Sequence, residues 1–257
     1  MIGFGELRKK SLAWAMDLSA VERIYALDWL LKGIVDRASL RDRLTLRGAS
    51  ALAHAYFENY PRVSDAEFAR AANLDDAALE SEIGAALTDA ARASGLQFKL
   101  HSFQPTAARV EFTGPLGRRS AAQPLLMTRF VAAPVRAEPE WRALLHPFDE
   151  TYAAQARVVA LSELAAERIV LYSQKPRARD VFDLWFILRQ GANILDAAQT
   201  RALAQRIADE KRVMLRANLD ETYAPFLERA WENALTEIRP PPSFAQARFE
   251  IEAYLKA

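Results

Sequence analysis

Apolar residues recur at helical spacing through Ile24, Leu27, Leu30, Leu31 and Ile34, a stripe that predicts a helix with one face in the core. Its start is predicted at Ser19-Ala20-Val21-Glu22, where a Ser and a Glu three apart can satisfy each other's orphan backbone donors. The period then changes. Leu44-Thr45-Leu46-Arg47 alternates as a strand does, Gly48 breaks it, and 49–57 predicts a helix, giving a strand, a tight turn and a helix in succession. A second strand is predicted over 63–68, and a helix over 75–92 closed by Gly95. Short strands are expected over 96–103, 108–113 and 125–130, with Gly114-Pro115-Leu116-Gly117 as a turn between two of them. From Ser162 onward the pattern is helical, with stops at Gly191, near Asn218 and at Pro240-Pro241-Pro242. The chain is therefore expected to divide near residue 160 into an α+β front half and a helical rear half.

Composition narrows the possibilities. The 257 residues suit one large domain or two small ones, and 51% hydrophobic with 26% charged residues excludes disorder for most of the chain. The net charge is +1, so nothing global draws the protein to nucleic acid or an anionic membrane. No cysteine is present, which excludes disulfides, thiol nucleophiles and iron-sulfur clusters. No 18 apolar residues run together, and the apolar stretch after Lys10 stops at Asp17. Neither a membrane span nor an export signal is expected, and the expected location is the cytoplasm.

Chemistry concentrates in two places in the front half. Arg47-Gly48-Ala49-Ser50 exposes backbone N–H groups at the start of a helix and adds a hydroxyl, a natural phosphate seat. Taken alone, this turn is more simply a strand-to-helix connection capped by Ser50. Asp65 and Glu67 lie two apart in a strand and project from one face, where paired carboxylates repel unless a cation such as Mg²⁺ joins them. An isolated Asp-x-Glu is otherwise a solvated sheet edge. His54, His101 and His146 stand in no metal-ligand spacing and are expected to be incidental. No nucleophile-elbow motif supports a serine hydrolase, and the clusters Arg8-Lys9-Lys10 and Arg118-Arg119 are too short to define an RNA surface.

The ordered combination is more specific than its parts. A hydrophobic strand, Gly-x-Ser, a short helix and an acidic pair resemble the active-site signature of the polymerase-beta-type nucleotidyltransferase superfamily. More narrowly, the chain resembles the AbiEii family of nucleotidyltransferase toxins, through the first-helix segment from Val21 to Leu31, Leu46-Arg47-Gly48-Ala49-Ser50-Ala51-Leu52, Arg62-Val63-Ser64-Asp65-Ala66-Glu67-Phe68 and Phe112-Thr113-Gly114-Pro115-Leu116-Gly117. The strongest pieces are Leu161-Ser162-Glu163-Leu164-Ala165-Ala166-Glu167-Arg168, Lys175, and Arg179-Asp180-Val181-Phe182-Asp183-Leu184. The resemblance implies an α+β polymerase-beta-type core with a mixed sheet over 1–160 and a helical region over 161–257 that completes the nucleotide pocket. It implies Asp65 and Glu67 as metal ligands, Arg47, Gly48, Ser50, Lys175 and Arg179 as NTP-binding residues, and Asp65, Glu67, Arg168, Asp180 and Asp183 as the catalytic set. It further implies Mg²⁺-dependent transfer from an NTP to RNA, such as the tRNA 3′ end, or to a protein hydroxyl. A cognate antitoxin and a role in phage defence by abortive infection follow from the same resemblance.

Four positions depart from the family pattern. Ala49 replaces a glycine, Glu67 an aspartate and Arg168 a lysine, and Leu126 falls where a third carboxylate is expected. The expectation is that nucleotide binding outlasts turnover. The rival readings are a catalytically degenerate nucleotide-, RNA- or partner-binding protein with the same fold, and a helical interaction module in which the acidic pair is only surface.

Overall fold

The stripe from Ile24 to Ile34 lies in the second of three N-terminal helices, α1 (Phe4–Trp14), α2 (Leu18–Asp36) and α3 (Ala38–Arg41) of the computed structural model, which describes residues 1–117, 125–235, 238 and 241–256. Arg118-Arg119, part of the third-carboxylate segment (Gln123-Pro124) and Pro240 lie outside the described residues. Asp17 precedes α2, so Ser19 is already inside the first turn and the predicted capping pair does not form. Glu22 turns inward instead. It is buried and accepts the Leu116 N–H at 2.6 Å. Burial pushes its carboxyl pKa up, partly offset by that hydrogen bond.

The strands and remaining helices of the first unit follow in order: β1 (Leu44–Leu46), α4 (Gly48–Ala51) running into a π-helical turn (Leu52–Tyr56), β2 (Asp65–Arg70), α5 (Asp76–Ser94), β3 (Gln97–Gln104), β4 (Ala107–Thr113), β5 (Leu125–Val131), β6 (Glu140–Ala143) and β7 (Gln155–Val158). They form one mixed sheet in the order β3-β4-β5-β2-β1-β7-β6, in which β2 and β5 run parallel, as do β1 and β7, and the other neighbours are antiparallel. Two of these strands, β6 and β7, have no counterpart in the sequence reading. The core side of the sheet carries Ala66, Phe68, Ala108, Val110, Phe112, Leu126 and Phe130, all nearly inaccessible. The predicted helix over 75–92 is α5, which starts after the cap Asp75 and ends at Gly95 in the left-handed region, φ 75°.

Helices α2 and α5 meet at Gly33, where a methyl group would stand 2.5 Å from the Ala86 carbonyl oxygen and 2.8 Å from Ala90 Cβ. A backbone oxygen cannot rotate away, so the helices must separate. Gly33→Ala is expected to cost about 1–3 kcal/mol of stability, read as a lower denaturation midpoint. Gly84→Ala on α5, with nothing within 4 Å, serves as the control that does not destabilise.

The chain folds into two compact units, one comprising Met1–Val135 with Pro139–Val158 and the other Arg136–Glu138 with Val159–Ala257. The second unit holds α6 (Leu161–Ser173), α7 (Ala178–Gln190), α8 (Ala197–Lys211), α9 (Ala224–Ala234) and α10 (Phe244–Lys256). Its linking segment is pinned by the buried Glu163 carboxylate, which accepts the backbone N–H groups of Arg136 and Ala137 at 2.8–3.0 Å.

Two histidines read as incidental are core elements. His146 Nδ1 lies 2.8 Å from Asp28 Oδ2, and His54 Nδ1 3.3 Å from Asp28 Oδ1, all three side chains being buried. His146 also reaches Glu150 at 3.3 Å, and Trp29 Nε1 donates to the same carboxylate at 3.0 Å. The Tyr152 ring stacks on His146 at 4.2 Å, and its hydroxyl donates to the Asp28 carbonyl. Residues 118 positions apart meet here, which no sequence spacing announces.

Candidate active site

The site in the first unit grows from the end of β1. The Arg47 N–H extends the β1–β2 ladder by donating to the Glu67 carbonyl at 2.9 Å. The chain then reverses at Gly48, whose φ of +63° is left-handed and favours glycine. Ser50 locks the turn, its hydroxyl donating to the Arg47 carbonyl at 2.8 Å while its oxygen accepts the Glu67 N–H at 2.9 Å. Ser50 is buried, so its hydroxyl is committed to bracing the turn.

These bonds fix where the Glu67 side chain emerges. A Cβ on Gly48 would stand 3.5–3.7 Å from the Glu67 carboxylate, and Arg47 Nε lies 3.2 Å from Glu67 Oε1. Ala66 and Phe68 are fully buried, so strand alternation sends Asp65 and Glu67 to the opposite, accessible face. Arg47, Gly48, Ser50, Asp65 and Glu67 thus share one small region of the sheet.

Leu126 is not on that face. The parallel β2–β5 register puts Met127 beside Asp65, Thr128 beside Ala66 and Arg129 beside Glu67. Leu126 points to the core side and is 1% exposed. The positions of β5 that accompany the acidic pair are therefore Met127 and Arg129, neither of them acidic. Arg129 carries the reverse charge, and its guanidinium lies 3.6 Å from Asp65 Oδ2. Glu111 of β4 shares the accessible face but pairs with Leu125, two strands and two residues from Asp65. At standard strand spacings that separates their Cα atoms by roughly 12 Å, too far for both to grip one ion without rearrangement.

In the second unit, Asp183 gathers two arginines. Arg168 donates to Asp183 Oδ2 through Nε and Nη2, each at 3.2 Å, and Arg179 Nε lies 3.4 Å from Oδ1. Asp183 is buried, whereas Arg168 and Arg179 retain partial access, so one buried carboxylate orients two cations. Asp180 is engaged in the α7 cap, accepting the Arg177 backbone N–H at 3.1 Å and its guanidinium at 2.9 Å. Burial opposes ionisation of Asp180, but the Arg177 contacts prevail and hold its pKa below the ordinary range. Lys175, seven residues after Arg168, does not share a helical face with it, because α6 ends at Ser173 and Lys175 lies exposed in the following loop.

The chemistry of the Asp65–Glu67 pair suits Mg²⁺. The pair offers only oxygen ligands on an accessible strand face, and Mg²⁺ is commonly held by one or two carboxylates together with substrate phosphates. Among the described residues, no group of three or more His, Asp or Glu could hold a metal ion.

A family model described as the nucleotidyl transferase AbiEii toxin of type IV toxin-antitoxin systems matches residues 29–250. The chain belongs to the AbiEii family. Solved structures agree on the fold. MenT4, a nucleotidyltransferase toxin from Mycobacterium tuberculosis H37Rv, superposes with a TM-score of 0.67 at 16% identity, covering 100% of this chain and 90% of MenT4. JHP933 from Helicobacter pylori gives 0.55 at 14% identity, with 92% and 90% covered, and a putative nucleotidyltransferase from H. pylori gives 0.51 at 13%, with 94% and 95% covered. No curated protein sequence matches the chain significantly. Membership in the AbiEii family makes this a nucleotidyltransferase toxin of the type IV class, with an NTP substrate and an antitoxin partner implied. Among the described residues no helix is long and apolar enough to cross a membrane.

Proposed function

We propose that the protein transfers a nucleotide from an NTP to an RNA hydroxyl, with the tRNA 3′ end as the leading acceptor and a protein hydroxyl as the lesser one. The observation that carries this reading is the union of the glycine turn with the acidic pair: Ser50 ties Gly48 and Arg47 to Glu67, and Asp65 shares its face. In the transfer, an acceptor oxygen bonds the α-phosphorus, pyrophosphate leaves and the hydroxyl proton is lost. Asp65 and Glu67 would hold Mg²⁺, which when bound neutralises phosphate charge and lowers the pKa of the attacking hydroxyl. The Gly48 turn leaves the backbone open to the triphosphate, and Ser50 keeps that turn in place. Arg47, Arg168, Lys175 and Arg179 are assigned to phosphate charge, with Asp180 and Asp183 orienting the basic residues of α7 and α6.

A second reading, nucleotide binding with weak turnover, draws on Met127 and Arg129 being the β5 neighbours of the acidic pair, neither of which adds a carboxylate. Incubation with Mg²⁺, each labelled NTP in turn and total tRNA tests both. Labelled tRNA supports transfer; nucleotide retention without labelled product supports the second reading. Arg179→Ala is expected to weaken Mg²⁺-NTP binding about tenfold or more, the size of one charge-assisted contact, as measured by calorimetry. The melting temperature should change little, because Arg179 is partly exposed and Arg168 remains on Asp183.

A further inference from the structure

Arg129 occupies the accessible face of β5 directly across from Glu67, and its guanidinium rests 3.6 Å from Asp65. That separation is beyond hydrogen-bond length, and both side chains are about half exposed, 53% and 42%. The pair is therefore loose, and its two long-range partners can part at small cost. Arg47 makes the corresponding contact to Glu67 at 3.2 Å. Arg109 lies on the same face, across from Met127. Each carboxylate that would take the metal is thus countered by an arginine.

We propose that Arg129 is a triphosphate-binding residue that couples metal and nucleotide binding, leaving Asp65 for the incoming phosphates when a divalent cation takes the carboxylate. This rests on Asp65 and Glu67 being the metal pair. A bare dication approaching Asp65 must displace one cation and sit beside it, which like-charge repulsion opposes. A dication arriving with a triphosphate brings its own anion, and the guanidinium exchanges a loose carboxylate contact for a charge-assisted phosphate contact. An arginine at this place on β5 thereby makes metal binding conditional on the polyphosphate. The contact involves only phosphate, so it is blind to the base.

The test compares binding of Mn²⁺ alone, followed by its free-ion resonance, with binding of the Mn²⁺–inorganic triphosphate complex, in the full chain and its variants. Arg129→Gln is expected to tighten Mn²⁺ alone by about three- to tenfold, since a neighbouring positive charge is removed. The same variant should weaken the Mn²⁺–triphosphate complex about ten- to a hundredfold. Arg129→Lys keeps the charge and should restore most of the triphosphate affinity. Unchanged affinities in Arg129→Gln, or a shift of both in the same direction, would overturn the proposal. Asp65→Ala separates the two levels: if it binds Mn²⁺ and Mn²⁺–triphosphate as the parent does, the metal-pair reading itself fails, whatever Arg129 does.

Discussion

Glu67→Gln is expected to cut nucleotide transfer by about two to four orders of magnitude, the size of losing a group that acts directly on the reacting centre, while leaving the fold intact. The substitution keeps the side chain's shape and its backbone bonds, so the Ser50 brace and the Arg47 N–H to Glu67 carbonyl bond persist. Only the charge is lost, and with it one of two oxygen donors suited to Mg²⁺. The Arg47 side chain is 11% and Glu67 31% exposed, and the glutamine amide oxygen can still accept from Arg47, so the cost to stability is one hydrogen bond's worth, ~1 kcal/mol. Single-turnover assays with protein in excess over labelled NTP measure the effect even where turnover is slow. Transfer by Glu67→Gln at the parental rate would remove Glu67 from the catalytic set, and a large fall in melting temperature would mark the effect as structural.

The sequence pattern carried the local parts of this site and failed where residues meet across the sheet. Strand alternation placed Asp65 and Glu67 on one face, and Gly48 marked the left-handed turn, because both follow from backbone geometry within a few residues. Leu126, where the resemblance places a vacant acidic position, faces the core, because in a strand one residue reverses the face. Register depends on hydrogen bonding between β2 and β5, segments about 60 positions apart, and no local pattern encodes it. The alternation of Leu126, Thr128 and Phe130 marks Arg129 for the accessible face, but its place beside Asp65 and Glu67 depends on that register. Strands β6 and β7 have four residues each, too short for periodicity to separate them from loop. The Arg179–Asp183 pair was legible because i, i+4 neighbours on a helix must meet. That Arg168 joins the same carboxylate from α6 required tertiary packing.

Asp28→Ala is expected to destabilise the protein by about 3–5 kcal/mol, the usual cost of removing one partner from a buried charged cluster. Asp28 is 1% exposed and receives His146 at 2.8 Å and His54 at 3.3 Å. Its loss leaves two buried imidazoles without their shared acceptor, in addition to an unfilled volume. Among the described residues His54 Nε2 has no hydrogen-bond partner. At about 2–4 °C per kcal/mol for a chain of this size, the melting temperature should fall by about 6–20 °C. The effect should also depend on pH. Burial alone would raise the Asp28 carboxyl, but the hydrogen bonds from His146 and His54 outweigh it and hold the pKa below the ordinary value. Other charged and titratable groups act on the same site: Arg62 favours the ionised carboxylate, while the buried Tyr152 phenol is pushed well up and remains neutral. A carboxyl with a depressed folded pKa contributes its full stability above the unfolded value, about 3.9, and loses it as pH falls through the folded value. The carboxyl's own contribution to the difference should therefore hold from neutral pH down to about 4 and fade as the medium becomes more acidic. Denaturant unfolding at a series of pH values measures the difference. A gap that widened below pH 4, or a variant as stable as the parent at pH 7, would show that Asp28 is not the anchor of the histidine cluster.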